Sequence, residues 1–252
     1  MLPSLERAAM NVAMSDRVEA ESNGLCRLGA LAGVILLIYS LLTMVILILV
    51  GGQPATAQEC FELIQKNLPI ALLRLDILTI VAMPVFCLLY AGLYCALQED
   101  CRLLAVISCA SAFVGVTLVL SNASAFSLVY LRNQYTAATT EARKTLLLAA
   151  GEAVISVDMW HGSAAKIGGL LLQLAGVLIS WAMLRTSVFS RGIAYLGLVT
   201  HGLDLAHILI GFFSPTAAVI AMAAAGPLYL FWLPLVARRL YQLGRANGPL
   251  PT

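Results

Sequence analysis

Residues 191–213 read RGIAYLGLVTHGLDLAHILIGFF, an apolar run interrupted by His201, Asp204 and His207. In hydrocarbon a segment must satisfy its own backbone hydrogen bonds, so a run of this length reads as a spanning helix. Ionisable groups inside such a helix are expensive and mark the first place to look for function. At about 100° per residue each step of three falls about 60° short of a full turn, so the three side chains share an arc of about 120°. The opposite face, with Leu198, Leu205, Ile208 and Phe212, is apolar. An aspartate three residues from a histidine can accept its ring N–H, fixing the tautomer and raising basicity. Asp158 and His161 repeat that spacing.

The rest of the chain has the same character. Hydrophobic residues make up 61% and charged residues 11%, with a mean hydropathy of +0.92, which leaves little for a soluble domain. The apolar runs predict an all-α polytopic membrane protein, a bundle of six transmembrane helices near 25–50, 70–97, 103–131, 163–185, 191–213 and 215–237. The transmembrane domain is then 25–237, between an N-terminal segment 1–24 and a C-terminal tail 238–252. Short connections at 98–102, 185–191 and 214–215 make consecutive helices antiparallel neighbours. In the longest link, 132–162, Thr139 and Thr140 suit the cap of a helix over 141–159. That helix reads as an outer amphipathic segment lying on the membrane or lidding the bundle. Trp160, Tyr130 and Tyr135 suit an interfacial aromatic belt.

Other features are excluded or bland. Ala55-Thr56-Ala57 has the form of a signal-peptidase site, but the run before it is about twice a usual signal h-region, so it reads as a retained span. Met10 or Met14 could serve as the start. The six cysteines lack CxxC spacing and read as small apolar packers rather than a disulfide framework. A net charge of +2 without a polybasic tract excludes nucleic acid as a partner and leaves the lipid bilayer. Gly29 with Gly33, Gly168 with Gly169, and Ala223–Gly226 allow close helix approach within the chain.

Positive charge predicts orientation. With the N-terminus inside, Arg7, Arg17, Arg27, Arg102, Arg185, Arg191, Arg238, Arg239 and Arg245 fall on the inner side. Lys66, Arg74, Arg132, Arg143, Lys144 and Lys166 fall outside. Both termini are therefore expected in the cytoplasm.

Depth follows from the helical rise of about 1.5 Å per residue: His207, Asp204 and His201 lie about 9, 14 and 18 Å from the outer end. On the second helix Arg74 and Asp76 lie about 6 and 9 Å in. Asn122 with Ser121, Ser124 and Ser127 on the third helix, and Lys166 and Gln173 on the fourth, occupy the same outer half. These depths predict a polar pocket among helices two to five, open or gated toward the outside. Arg74, Asp76, Asn122, His201, Asp204 and His207 are the candidate ligand or proton-pathway residues. A bland alternative is that Arg74, Asp76 and Asp204 are interhelical ion pairs, with the serines bonding back to their own helix.

The segments "RLGALAGVILLIYS", "LRLDILTIVAMPVFCLLYAGLY", "SRGIAYLGLVTHGLDLAHILIGF" and "GPLYLFWLPLVARRL" carry a resemblance over about residues 25–240. The chain resembles a family of bacterial six-helix membrane proteins known as a domain of unknown function. The resemblance implies a six-helix bundle in the bacterial inner membrane with both termini inside. It brings no activity and no functional residues, and His201 and His207 are not part of the pattern.

Three functions remain open on the residues. A binding, sensing or transport protein would use the pocket for a small polar ligand, a cation or protons. An intramembrane metal enzyme would hold a divalent ion such as zinc with His201, His207 and Asp204, adding His161 and Asp158; the residue types suffice but no HExxH motif is present. A bis-histidine haem is a variant of that reading. A structural or assembly subunit would use the same polar groups to hold helices together.

Overall fold

The computed structural model describes residues 2–75 and 77–246, and the side chains of these except residues 2–13, 15–19 and 246. Within them every regular element is a helix. The elements are α1 (Leu2–Leu49), α2 (Ala57–Lys66), α3 (Leu68–Arg74), α4 (Ile77–Leu120), α5 (Ala125–Ala137), α6 (Glu141–Ser156), α7 (Ser163–Leu184), α8 (Arg191–Ile210) and α9 (Pro215–Ala246).

Five stretches are long and apolar enough to cross a membrane: Ala20–Leu49, Ile77–Ala137, Ser163–Leu184, Arg191–Ile210 and Pro215–Arg245. Large apolar side chains face outward along them, among them Leu31, Ile48, Val81, Leu103 and Phe231. A surface of that kind, spread along helices of membrane-crossing length, suits a lipid bilayer.

The longest stretch folds back on itself. Cys101 sits at φ −137°, ψ 47°, outside helical space, and breaks α4. Before the break α4 runs antiparallel to α1, with Thr79 bonded to Tyr39 and Gly92 stacked on Gly29. After it α4 runs antiparallel to α7, with Ser108 Oγ donating to the Ala175 carbonyl at 2.6 Å and Gly115 against Gly168. The long helices close a ring in which α1 touches α4, α4 touches α7, α7 touches α8, α8 touches α9, and α9 returns to α1. Tyr90, Leu93, Ile179, Met183, Trp232 and Leu233 fill its centre. Arg27 Nε donates to the Gly244 carbonyl at 2.8 Å, so the start of the first span and the end of α9 lie together at one end, the tail end.

The other end is capped. Among α2, α3, α5 and the start of α4, a second core gathers Cys60, Phe61, Ile64, Ala71, Leu75, Ala125 and Leu128. Phe61 packs on Tyr135 with ring centroids 5.5 Å apart. The Glu152 carboxylate of α6 accepts the Ala57 N–H at 2.7 Å, tying α6 to the first turn of α2. The Thr140 side chain caps α6 as expected, through the Arg143 N–H, but the helix stops at Ser156 rather than 159.

Other expected boundaries move for local reasons. The third apolar run is not one helix through 131. Ser121 Oγ and Asn122 Nδ2 both donate to the Leu118 carbonyl, and these short side chains end α4 and turn the chain into α5. The second run starts at Leu68 but is split around Leu75, where α3 ends. The first span has no break at 24; α1 is continuous from Leu2.

Two glycine pairs set the ring's spacing. A Cβ on Gly92 would lie 2.8 Å from Gly29 Cα, and one on Gly168 would lie 2.6 Å from the Gly115 carbonyl oxygen. Backbone cannot yield as a side chain tip can, so these helices touch only because both partners are glycine. Gly33 likewise meets Ala237, whereas Gly226 has nothing within 4 Å. We expect Gly168→Val and Gly92→Val each to cost roughly 1–3 kcal/mol by overpacking, while Gly226→Val leaves the melting temperature of the detergent-purified protein unchanged. Equal melting of all three variants would refute this account of the spacing.

Candidate functional site

The polar residues that meet inside the ring come from α7, α8 and α9. Gln173 projects from α7, His201 and Asp204 from one face of α8, and Tyr229 from α9. His201 Nδ1 donates to Gln173 Oε1 at 2.9 Å. The Tyr229 hydroxyl lies 2.8 Å from Asp204 Oδ2, 3.0 Å from Gln173 Oε1 and 3.2 Å from His201 Nδ1. One phenol oxygen thus touches side chains of both neighbouring helices. With the Gln173 amide oxygen turned toward it, the His201 tautomer that fits is the one protonated at Nδ1.

Sequence and packing place these groups together. His201 is only 3% exposed. Its ring lies on Gly176, where a Cβ would collide with it. Trp232 meets the ring edge-on, centroids 4.7 Å apart at 89°, and Tyr229 does so at 5.3 Å and 81°. One turn along, Ser180 and Trp232 Nε1 crowd the bare face of Gly197. Small residues on α7 and α8 therefore admit large polar ones from the opposite helix. Ser180 Oγ, His201 Nε2 and Trp232 Nε1 are buried without a hydrogen-bond partner among the described residues. Three such atoms beside one cluster are unusual, because a buried polar group normally finds a partner.

The other candidates go elsewhere. His207, further along α8 toward the cap end, bonds through Nδ1 to the Ala218 carbonyl at 3.0 Å. Arg74 is not Asp204's counter-ion; its Nη2 meets Glu59 Oε1 at 3.1 Å and its Nε donates to the Gly52 carbonyl at 2.6 Å. Asn122 ends α4 and packs against Gly162. His161 and Asp158 do pair, at 2.9 Å, in the turn before α7, where Asp158 Oδ1 also accepts the N–H groups of Trp160 and His161. Asp76 lies outside the described residues. Among the described residues no three His, Cys, Asp or Glu side chains come together to hold a metal. The zinc set expected from His201, His207, Asp204, His161 and Asp158 is therefore dispersed, and the centre is drawn from helices four to six of the predicted bundle rather than two to five.

Tyr229 and Trp232 escaped the sequence reading. Applying the same rise to the last helix puts Tyr229 about 21 Å from Pro215, close to the depth of His201, so depth alone carried the signal.

No protein-family model, no curated protein and no solved structure matches the chain.

Because Arg74 is held by Glu59, removing it should not compensate for the loss of the Asp204 carboxyl group. We expect the destabilisations of Asp204→Asn and Arg74→Leu to add within about 0.5 kcal/mol, as for sites that share no partner. Rescue of Asp204→Asn by Arg74→Leu in thermal melts would show a coupling that this geometry lacks.

Proposed function

We propose that the chain crosses the bilayer six times with both ends in the cytoplasm, and that the Gln173–His201–Asp204–Tyr229 centre is a proton-binding site through which it senses or passes protons. The six-fold count rests on the reversal at Cys101, which divides one of five apolar stretches into two rods. The orientation rests on the arginines of the tail end, Arg27, Arg102, Arg185, Arg191, Arg238, Arg239 and Arg245. The resemblance to a bacterial six-helix family agrees with both and suggests the inner membrane.

One observation carries the proton assignment. Tyr229 owns a single hydroxyl proton but faces two oxygen acceptors, at 2.8 and 3.0 Å. With Asp204 ionised, one of those approaches sets lone pair against lone pair. With a proton on Asp204 the chain runs from Asp204 O–H to Tyr229, from Tyr229 O–H to Gln173 Oε1, and His201 Nδ1–H closes on the same oxygen. Each of the three contacts of 3.0 Å or less then holds one proton. Loss of that proton requires the Gln173 amide to turn over, offering N–H to Tyr229, and His201 to change tautomer. The charge state of α8 is thereby written into the conformation of α7. Around Asp204 the titratable groups are Tyr229 from α9, His201 and His207 from α8 and, beyond Tyr229, Tyr90 from α4. Among the described residues Asp204 forms no ion pair.

Infrared difference spectroscopy tests the assignment. We expect a carboxylic-acid C=O band at neutral pH that Asp204→Asn removes, with the variant still folded because the amide N–H replaces the acid O–H. A carboxylate band removed by the same substitution would leave the network a purely structural pin.

Labelling of introduced cysteines tests the topology. In intact cells an impermeant maleimide should modify a cysteine at Gln134 but not one at Asp100 or Ser187; the reverse pattern would invert the protein. Native Cys60 cannot serve as the cap-end reporter. It is fully buried, and desolvation, reinforced by the nearby Glu59 charge and opposed by Arg74, pushes its thiol up to about 11.

A further inference from the structure

We propose a second site, independent of the proton centre: a pocket at the cap end that takes the head group of an aminophospholipid, with phosphate on Arg74 and ammonium toward Glu59. The cavity, of about 510 Å³, lies between the last turn of α1, the 51–55 link, α3, the first turn of α4 and the turn before α7. Its size is that of a small-ligand site.

The lining is divided by chemistry. Ile46, Leu47 and Leu78 supply an apolar wall from the ends of two spanning segments, and Arg74 and His161 supply the two basic side chains, beside the polar Thr43, Gln53 and Thr79. An amphiphile is the ligand class that uses both. A soluble polar ligand would leave the apolar wall in water, and a pure hydrocarbon would cover the remaining guanidinium N–H donors of Arg74 without offering them an acceptor.

Both basic side chains are held in place beforehand. Arg74 is 19% exposed, with its Nε on the Gly52 carbonyl and Nη2 on Glu59, so the planar guanidinium is fixed with only two of its five N–H donors accounted for. Gly51, at φ 96°, makes the bend that brings that carbonyl to it. On the facing side, buried Asp158 holds the His161 ring and the backbone of Trp160 through one carboxylate oxygen. Trp160 itself lines the cavity, as an indole at lipid head-group depth does.

Charge selects the head group. Arg74 and Glu59 cancel, so the site has little net attraction for a simple anion. A head group with one phosphate and one ammonium satisfies the arginine and the glutamate at the same time. The fork of Arg74 matches phosphate oxygens. Glu59 is not part of the cavity wall, but its carboxylate, 47% exposed, with Oε1 on Arg74 and Oε2 accepting the N–H of the cavity-lining Ala55, keeps further lone pairs for a cation.

The test measures binding of lysophosphatidylethanolamine, lysophosphatidylglycerol, monoacylglycerol and glycerophosphoethanolamine to the purified full chain, by native mass spectrometry and melting shift. Lysophosphatidylethanolamine should bind best and monoacylglycerol least. Arg74→Lys, which keeps the charge and loses the fork, should weaken both phospholipids about tenfold. Glu59→Gln should abolish the preference for ethanolamine over glycerol while leaving phosphatidylglycerol binding intact. Each variant is first checked for an unchanged helical circular dichroism spectrum, and His161→Gln serves as a second reporter, expected to weaken both phospholipids, should Arg74→Lys not fold. Equal binding of glycerophosphoethanolamine would make the ligand a soluble phosphoester and overturn the lipid assignment. Binding of all amphiphiles alike, unaffected by Arg74→Lys or His161→Gln, would overturn the site.

Discussion

In hydrocarbon a polar group that does not find a partner inside the protein finds none at all. That constraint organises this molecule at every level. Backbone amides meet it by forming helices long enough to bridge the bilayer. Side chains meet it by facing inward, and the ring of helices is closed tightly enough to let them reach one another. The glycine contacts between α1 and α4, and between α4 and α7, replace the hydrophobic driving force that lipid cannot supply. Tyr229 meets the same constraint from the last helix, reaching both α7 and α8 with one oxygen.

The two sites use that constraint differently. At the centre of the ring, α7, α8 and α9 enclose groups whose hydrogen-bond pattern, on the proposed proton assignment, changes with the number of protons they share. The position of hydrogen is therefore coupled to side-chain conformation. At the cap end, α3 and the turn before α7 fix a guanidinium and an imidazole beside an apolar wall, each anchored by a neighbouring carbonyl or carboxylate. One site is enclosed within the ring; the other is a pocket open at the cap end.

How much of this was legible in the sequence depended on whether the deciding interaction was local. The helix cap at Thr140, the His161–Asp158 pair and the apolar runs are matters of a few residues and a period, and could be read directly. The Ser121–Asn122 break was also local, yet the apolar run on either side masked it. Depth brought Gln173 and Asp204 to the same level correctly, but depth is one coordinate. It cannot say which helices are neighbours, so it left an Arg74–Asp204 ion pair open as an alternative when Arg74's partner is Glu59, in a cap helix whose position no periodicity reveals. Tyr229 was invisible for the opposite reason: a tyrosine in a span is ordinary, and becomes singular only through the three groups packed around it. Asp76 lies outside the described residues, and its place in either site stays a matter of sequence.

The ring is also closed by elements far apart along the chain. Arg27 and the Gly244 carbonyl are 217 positions apart, and the face of α1 that carries Gly33 is covered by α9. During synthesis, α1 must therefore wait in the bilayer with that face uncovered until the last helix has left the ribosome. Any insertase or chaperone that shields nascent spans has its longest task there. A chain stalled before α9 would leave the small-residue face of α1 and the polar groups of α7 and α8 uncovered, so closure of the ring waits on its final helix.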